Sequence, residues 1–305
     1  MKTLRIGTRA SALALIQTDA VAERIRKCFP DLVLDIIRIQ TTGDKILDAP
    51  LSKIGVKSLF TKEIEEALLA NKIDMAVHSL KDLPTELPAG LEIGAVLKRE
   101  DPHDALVAEK RATLKSLPKG ARVGTSSLRR AAQIKAQRPD LEVGNLRGNL
   151  DTRLKKLSGG EFDAIILAQA GLDRIKAKVN ATPIPFEQML PAVGQGFLAV
   201  EVRDGDKPTA EIVRTLEDAQ SKTEAICERA FLRALEGGCQ VPIGALAQSK
   251  GSEIALEGII CSLDGKTSYR KKISGKIEDA EKIGRDLAQI LLNMGGDKIL
   301  ESIRN

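Results

Sequence analysis

Four short segments carry side chains suited to gripping an anion: GTRAS (7–11), HSLKD (78–82), GTSSLRR (124–130) and GLDR (171–174). Between them they hold Arg9, Ser11, Lys81, Asp82, Thr125, Ser127, Arg129, Arg130 and Arg174, and the neighbouring NLRGNLDTR (145–153) adds Arg147 and Arg153. A guanidinium presents a planar two-pronged fork that matches a carboxylate, so this set fits a ligand carrying several carboxylates. Any one of these arginines can equally be a solvated surface charge. Several at predicted helix starts are harder to explain that way, because a helix N-terminus repels cations unless an anion sits there. Asp82 and Asp173 are the acidic side chains of these four loops. Asp82 can be a counter-ion or a catalytic group, and the residues alone leave both open. His78, Ser79 and Asp82 are the residue types of a hydrolase triad, but Ser79 lacks the GxSxG elbow that such a serine needs.

A second feature is the thiol of LEGGCQVPIG (235–244), where Cys239 follows a glycine pair expected to end a helix. An accessible thiol there can be a nucleophile or an idle side chain. Cys28, Cys227 and Cys261 fall on apolar stripes and are expected in cores. No CxxC pairing occurs and the histidines are His78 and His103, so no metal site is expected. Arg5 and Arg9 interrupt the N-terminal apolar run, and no stretch approaches the roughly 18 apolar residues of a membrane span. The expected setting is therefore the cytosol, with reduced thiols and no membrane partner. A net charge of +5 is spread along the chain without interleaved aromatics, which suits an anionic small molecule better than nucleic acid.

The elements that would position these groups repeat. LRIGTRASALALIQTDAVAERIRKCF reads as a strand, a turn at Gly7-Thr8 and a helix, and ARVGTSSLRRAAQIKAQ repeats that plan with Ser126 and Ser127 as candidate helix caps. Each copy is followed by a helix and a buried strand, the strands beginning at Asp74 and Asp163. Two sister α/β domains follow from this echo. Residues 98–104 and 180–196 read as crossings between them, and FLAVEVR (197–203) as a strand returning to the first. Beyond about Ser221 the pattern becomes helix, three strands, helix, a small α+β domain. The expected boundaries are 1–99 with 197–216, 104–192 inserted, and 220–305. With aromatic residues at 2% of 305, the cores must be aliphatic.

RIGTRASALALIQ, AVHSLKDLP, GTSSLRRAAQ, NLRGNLDTRLKKL, PAVGQG and LEGGCQVPIGA, in this order, resemble the porphobilinogen deaminase (hydroxymethylbilane synthase) family across nearly the whole chain. The resemblance implies three domains, the first two like periplasmic binding proteins. It also implies a transferase that joins four porphobilinogen molecules head to tail, with loss of ammonia, on a dipyrromethane cofactor. Carried over residue by residue, the thioether to that cofactor falls on Cys239 and the catalytic aspartate on Asp82. Cofactor contacts fall on Lys81, Asp82, Thr125, Ser127, Arg129, Arg130 and Arg153, and substrate contacts on Arg9, Ser11, Gln17, Arg147, Arg153 and Arg174. A monomer is implied, with porphobilinogen as small-molecule partner. Each porphobilinogen ring brings an acetate and a propionate, which the arginines suit, and Asp82 is expected to work as an anion opposite a developing cation. Arg129 and Arg130, about 100° apart on a helix, are expected to grip different carboxylates.

The sequence departs from the family at KIGVKSLFTKE (53–63), where Val56 and Ser58 replace glycines while Lys53 and Lys57 remain, and at Phe197, where a small residue is usual. Two rivals remain on the residues: a dicarboxylate-binding protein without catalysis, which explains the repeat but not Cys239, and a basic nucleic-acid binder.

Overall fold

The computed structural model describes residues 3–45, 60–236 and 241–304. Its chain forms two compact units, Met1–Glu100 with Phe197–Lys222, and Asp101–Gly196 with Thr223–Asn305.

In the first unit, β1 (Thr3–Arg9) runs parallel to β2 (Val33–Ile39) and to β3 (Met75–Ser79), while β10 (Leu198–Arg203) pairs antiparallel with both β3 and β4 (Leu91–Val96). The order is β2-β1-β3-β10-β4. One face of this sheet buries Leu4, Ile6, Met75, Val77 and Val200 with Val21 and Ile25 of helix α1 (Ala12–Cys28). On the other, Ala76 packs with Ile64 and Leu68 of α2 (Lys62–Leu69). The expected turn at Gly7-Thr8 is corrected: both pair with β2, and Thr8 is fully buried. The strand lasts until Arg9, and Ser11 then caps α1 by accepting the Ala14 N–H. Cys28 is also corrected, since as the last residue of α1 it is exposed and not in a core.

The second unit repeats the plan. Its first sheet has the order β7-β6-β8-β5-β9, formed by β5 (Asp104–Ala108), β6 (Arg122–Gly124), β7 (Glu142–Gly144), β8 (Ala164–Ala168) and β9 (Asn180–Pro183). Again the first three are parallel and the fourth is antiparallel to the third. Two of the residue ranges read as crossings are therefore partly sheet: Asp104 opens β5, and residues 180–183 form an edge strand paired with it. A short polar strand ending in proline carries no alternation signal, which is why pairing alone reveals it. Helices α3 (Leu128–Gln137), α4 (Leu150–Ser158) and α5 (Gln169–Arg174) flank this sheet.

The same unit holds a second, three-stranded antiparallel sheet of β11 (Ile243–Lys250), β12 (Glu253–Cys261) and β13 (Ser268–Lys276). α6 (Lys207–Arg214) belongs to the first unit. α7 (Ala219–Ala234) and α8 (Ala280–Leu291) cover the small sheet with Cys227, Phe231, Leu287 and Leu291, and α9 (Asp297–Arg304) adds Ile299 and Leu300. This sheet shares a core with α3, where Ala132 and Leu190 meet Leu246, Ile259 and Cys261. The architecture is thus two sister α/β domains and a smaller α+β domain. Burial pushes the thiols of Cys227 and Cys261 up to about 12, so both stay protonated.

Candidate active site

In the first domain the loops following β1 and β3 meet at the carboxyl ends of their strands. There Arg9, Ser11, Gln17, Phe60, Thr61, His78, Ser79 and Asp82 line an open pocket. The guanidinium of Arg9 lies 4.2 Å from the centroid of the Phe60 ring, which holds it by a cation–π contact. Gln17, a buried residue of α1, donates to Ser79 Oγ at 3.1 Å. Ser79 starts the helical turn Leu80–Asp82, which leaves Asp82 exposed at the pocket and Leu80 buried beneath it. Lys81 lies on the same turn, half-buried, and does not line the pocket. Ser79 is thus committed to Gln17, not to His78, and the structure gives no hydrolase relay.

His78 instead faces a partner that the sequence did not suggest. Its Nε2 lies 3.0 Å from Oε2 of Glu201, and both side chains are buried. Glu65, from the first turn of α2, is buried beside them, and burial together with the charge of Glu201 pushes its carboxyl up.

In the second domain Ser127 caps α3 by accepting the Arg130 N–H, and Thr125 Oγ1 accepts the Ser127 N–H. Arg129 and Arg130 both turn inward to Asp104. Arg129 Nη1 donates to Asp104 Oδ2 at 2.6 Å and to the Leu190 carbonyl at 2.7 Å. Arg130 donates from Nε and Nη2 to Asp104 Oδ1, at 2.9 and 2.6 Å, and from Nη1 to the Ile166 carbonyl. The reason is that Asp104, paired with Ala168 at the start of β5, brings a fully buried carboxylate within their reach. Gln195 completes the knot, donating to Asp104 Oδ1 and to the Pro102 carbonyl. Gly194 and Gly196, at φ of 77° and 95°, provide the left-handed backbone that turns its amide inward. Burial alone would push the Asp104 carboxyl up, but Arg129 and Arg130 overcome this and hold it well below the usual carboxylate range.

Arg153 donates to the Gly148 carbonyl and Arg174 to the Gly196 carbonyl, and Arg147 is half-buried. The structure therefore unites Arg9, Ser11, Gln17 and Asp82 in one pocket, and Thr125, Ser127, Arg129 and Arg130 at one helix start. Cys239, with Lys53, Val56, Lys57 and Ser58, lies outside the described residues. Asp104, Gln195, Glu201 and Glu65 were missed. Gln195 stood in a quoted glycine motif and Asp104 at a quoted crossing, but nothing local marks Glu201 or Glu65.

Duplicated α/β domains with cationic loops at their strand ends define a protein that handles an anionic small molecule. Among the described residues no helix is long and apolar enough to cross a membrane. Residues 4–211 match the family model described as porphobilinogen deaminase, dipyromethane cofactor binding domain, and residues 222–293 match that of porphobilinogen deaminase, C-terminal domain. A porphobilinogen deaminase of Carboxydothermus hydrogenoformans is 50% identical over 304 residues, covering 99% of this chain and 98% of that one. That of Syntrophobacter fumaroxidans is 49% identical over 303 residues, covering 99% and 98%. Among solved structures, an ancestral arginine-binding protein bound to arginine is similar at a TM-score of 0.41 and 17% identity, covering 71% of this chain and 91% of that one. The chain belongs to the porphobilinogen deaminase family. It is a transferase that condenses porphobilinogen with release of ammonia and uses a dipyrromethane cofactor.

The second domain suits such a polycarboxylate. Two guanidiniums face the single carboxylate of Asp104, leaving one buried positive charge in formal surplus. The buried Nε atoms of Arg129 and Arg147 also lack a hydrogen-bond partner. An incoming carboxylate would satisfy both demands.

Proposed function

We propose that the pocket of the first domain is where the condensation takes place, with Asp82 as its catalytic group. The convergence of Arg9, Gln17 and Asp82 on one open pocket carries this reading. Porphobilinogen already bears its leaving group as an ammonium, so the departure of ammonia leaves positive charge on the methylene carbon. An exposed carboxylate at the end of a rigid turn stabilises that charge without needing to donate a proton. Arg9, braced by Phe60, and Ser11 at the start of α1 receive the substrate's carboxylates, and Gln17 fixes the turn that carries Asp82 through Ser79. Arg147 and Arg174 serve the same substrate-binding purpose.

Cys239 holds the dipyrromethane cofactor by a thioether. Lys81, Thr125, Ser127, Arg129, Arg130 and Arg153 neutralise its carboxylates. That group supplies a tethered chain end, so that successive condensations occur without release. The enzyme acts as a monomer in the cytoplasm, with no nucleic-acid partner.

The test is the intact mass of the purified protein. Wild type carries a dipyrromethane-sized adduct and Cys239→Ala carries none while still folding. An adduct that persists in Cys239→Ala overturns the attachment site.

A further inference from the structure

Because β3 and β10 pair antiparallel with His78 opposite Ala199 and Ala76 opposite Glu201, His78 and Glu201 project from the same face of the sheet. Helix α2 closes that face, and its first turn adds Thr61 and Glu65. The result is a buried polar chamber of four side chains, each at most 6% exposed: Thr61, Glu65, His78 and Glu201. Its hydrogen bonding is incomplete. Neither oxygen of Glu201, nor His78 Nε2, nor Thr61 Oγ1, nor Glu65 Oε1 meets a partner of good geometry. A buried carboxylate in this state calls for a partner, and the side chain facing Glu201 among the described residues is His78, with Nε2 at 3.0 Å.

The chamber is not sealed from the chemistry. His78 and Thr61 both line the pocket that holds Asp82. A carboxylate behind an imidazole orients the ring and stabilises the imidazolium formed when the ring takes a proton. With Nε2 turned to Glu201, Nδ1 is the ring nitrogen left to address the pocket.

We propose that His78, backed by Glu201, accepts the proton given up by the attacked pyrrole α-carbon in each condensation. The inference rests on the reading of the Asp82 pocket as the site of that reaction. The C–N bond of the incoming porphobilinogen breaks and ammonia leaves with its electron pair. The new C–C bond takes its pair from the attacked ring, which regains aromaticity only when its α-carbon loses a proton. His78 takes that proton while the C–H pair returns to the ring. The imidazolium then passes the proton to ammonia, which departs as ammonium. Asp82 keeps its separate task of stabilising positive charge.

The test uses porphobilinogen deuterated at its free α-carbon with cofactor-loaded wild type, His78→Gln, Glu201→Gln and Asp82→Asn. In His78→Gln, kcat is expected to fall about 10²-fold with KM little changed, the size expected for loss of a positioned proton acceptor. A primary isotope effect absent from wild type should then appear, because proton loss becomes rate-limiting. A smaller loss with the same isotope effect is expected in Glu201→Gln, which keeps the imidazole and serves if His78→Gln does not fold. Retained turnover, or loss of turnover without an isotope effect, overturns the proposal, since a structural role would slow the enzyme without making C–H cleavage limiting. If Asp82→Asn turns over normally, the site reading fails; if only His78→Gln does, the His78 role alone fails. Wild type provides an independent readout, because its histidines are His78 and His103. Porphobilinogen should move the ring ¹⁵N signals of His78 and not those of His103, and unmoved His78 signals overturn the role.

Discussion

The two sister domains solve one problem differently. In each, the antiparallel fourth strand places a fully buried carboxylate beside the functional loops: Glu201 on β10 in the first domain, Asp104 at the start of β5 in the second. Glu201 is met by an imidazole from the neighbouring strand at 3.0 Å. Asp104 is met by two guanidiniums from the following helix, both at 2.6 Å, with a glutamine amide in addition. The first sets its carboxylate against an imidazole, whereas the second sets its carboxylate against guanidiniums that stay charged throughout the working range. One fold, duplicated, thus offers a buried imidazole–carboxylate pair in one domain and a fixed cationic cluster in the other.

The largest effect should come from Asp82, the acidic side chain that the first domain exposes at its pocket. Asp82→Glu keeps the charge but displaces it by about one methylene, and misplacement of that order costs about 10²-fold. Asp82→Asn should lose more while remaining folded. Single-turnover condensation with preloaded cofactor measures both, and an Asn variant as active as Glu would mean that position, not charge, is what matters.

Next is Asp104→Asn, which strands two buried guanidiniums and should cost about 3–5 kcal/mol of stability. Its pH dependence sharpens the contrast. The Asp104 carboxyl lies below its unfolded value, so the stability it contributes is complete above about pH 4 and fades as pH falls toward its folded value. Glu65 is shifted the other way, so its folded form gains relative stability as pH falls toward the unfolded value. Urea unfolding between acid and neutral pH should show the cost of Asp104→Asn shrinking in acid. Over the same range Glu65→Gln should lose whatever advantage it has at neutrality. Parallel responses would dissolve the distinction between the two clusters.

A smaller effect is expected from Arg129→Lys and Arg130→Lys. Each keeps its charge but loses the fork that spans Asp104 and a backbone carbonyl, which should cost about 1.5–3 kcal/mol in stability. Since both arginines share one carboxylate, the two losses should not add, and a double-mutant cycle measures the shortfall. The smallest effect concerns the sister caps. Ser11 and Ser127 each accept the N–H three residues on, both at 3.4 Å. Serine to alanine should cost about 1 kcal/mol at either position, and a marked difference in melting temperature would show that one cap has taken on a further task.

The sequence by itself determined the duplication and the residue types at the strand ends, because both rest on local signals: alternation, helical spacing, caps and glycine turns. GTRAS and GTSSLRR announce a strand followed by a capped helix without any knowledge of the rest of the chain. What only the tertiary structure decided is which charge meets which. Arg129 and Arg130 were legible as cations at a helix start, but their direction depends on a carboxylate brought beneath them by strand pairing. The polar edge strand 180–183 exists because β5 lends it hydrogen bonds. His78 acquires Glu201 only because the chain, after building an entire second domain, returns to lay β10 beside β3. Periodicity reports which face of an element is buried. Ion pairing depends on side-chain atoms from distant segments arriving within a few ångströms, and no local pattern records that.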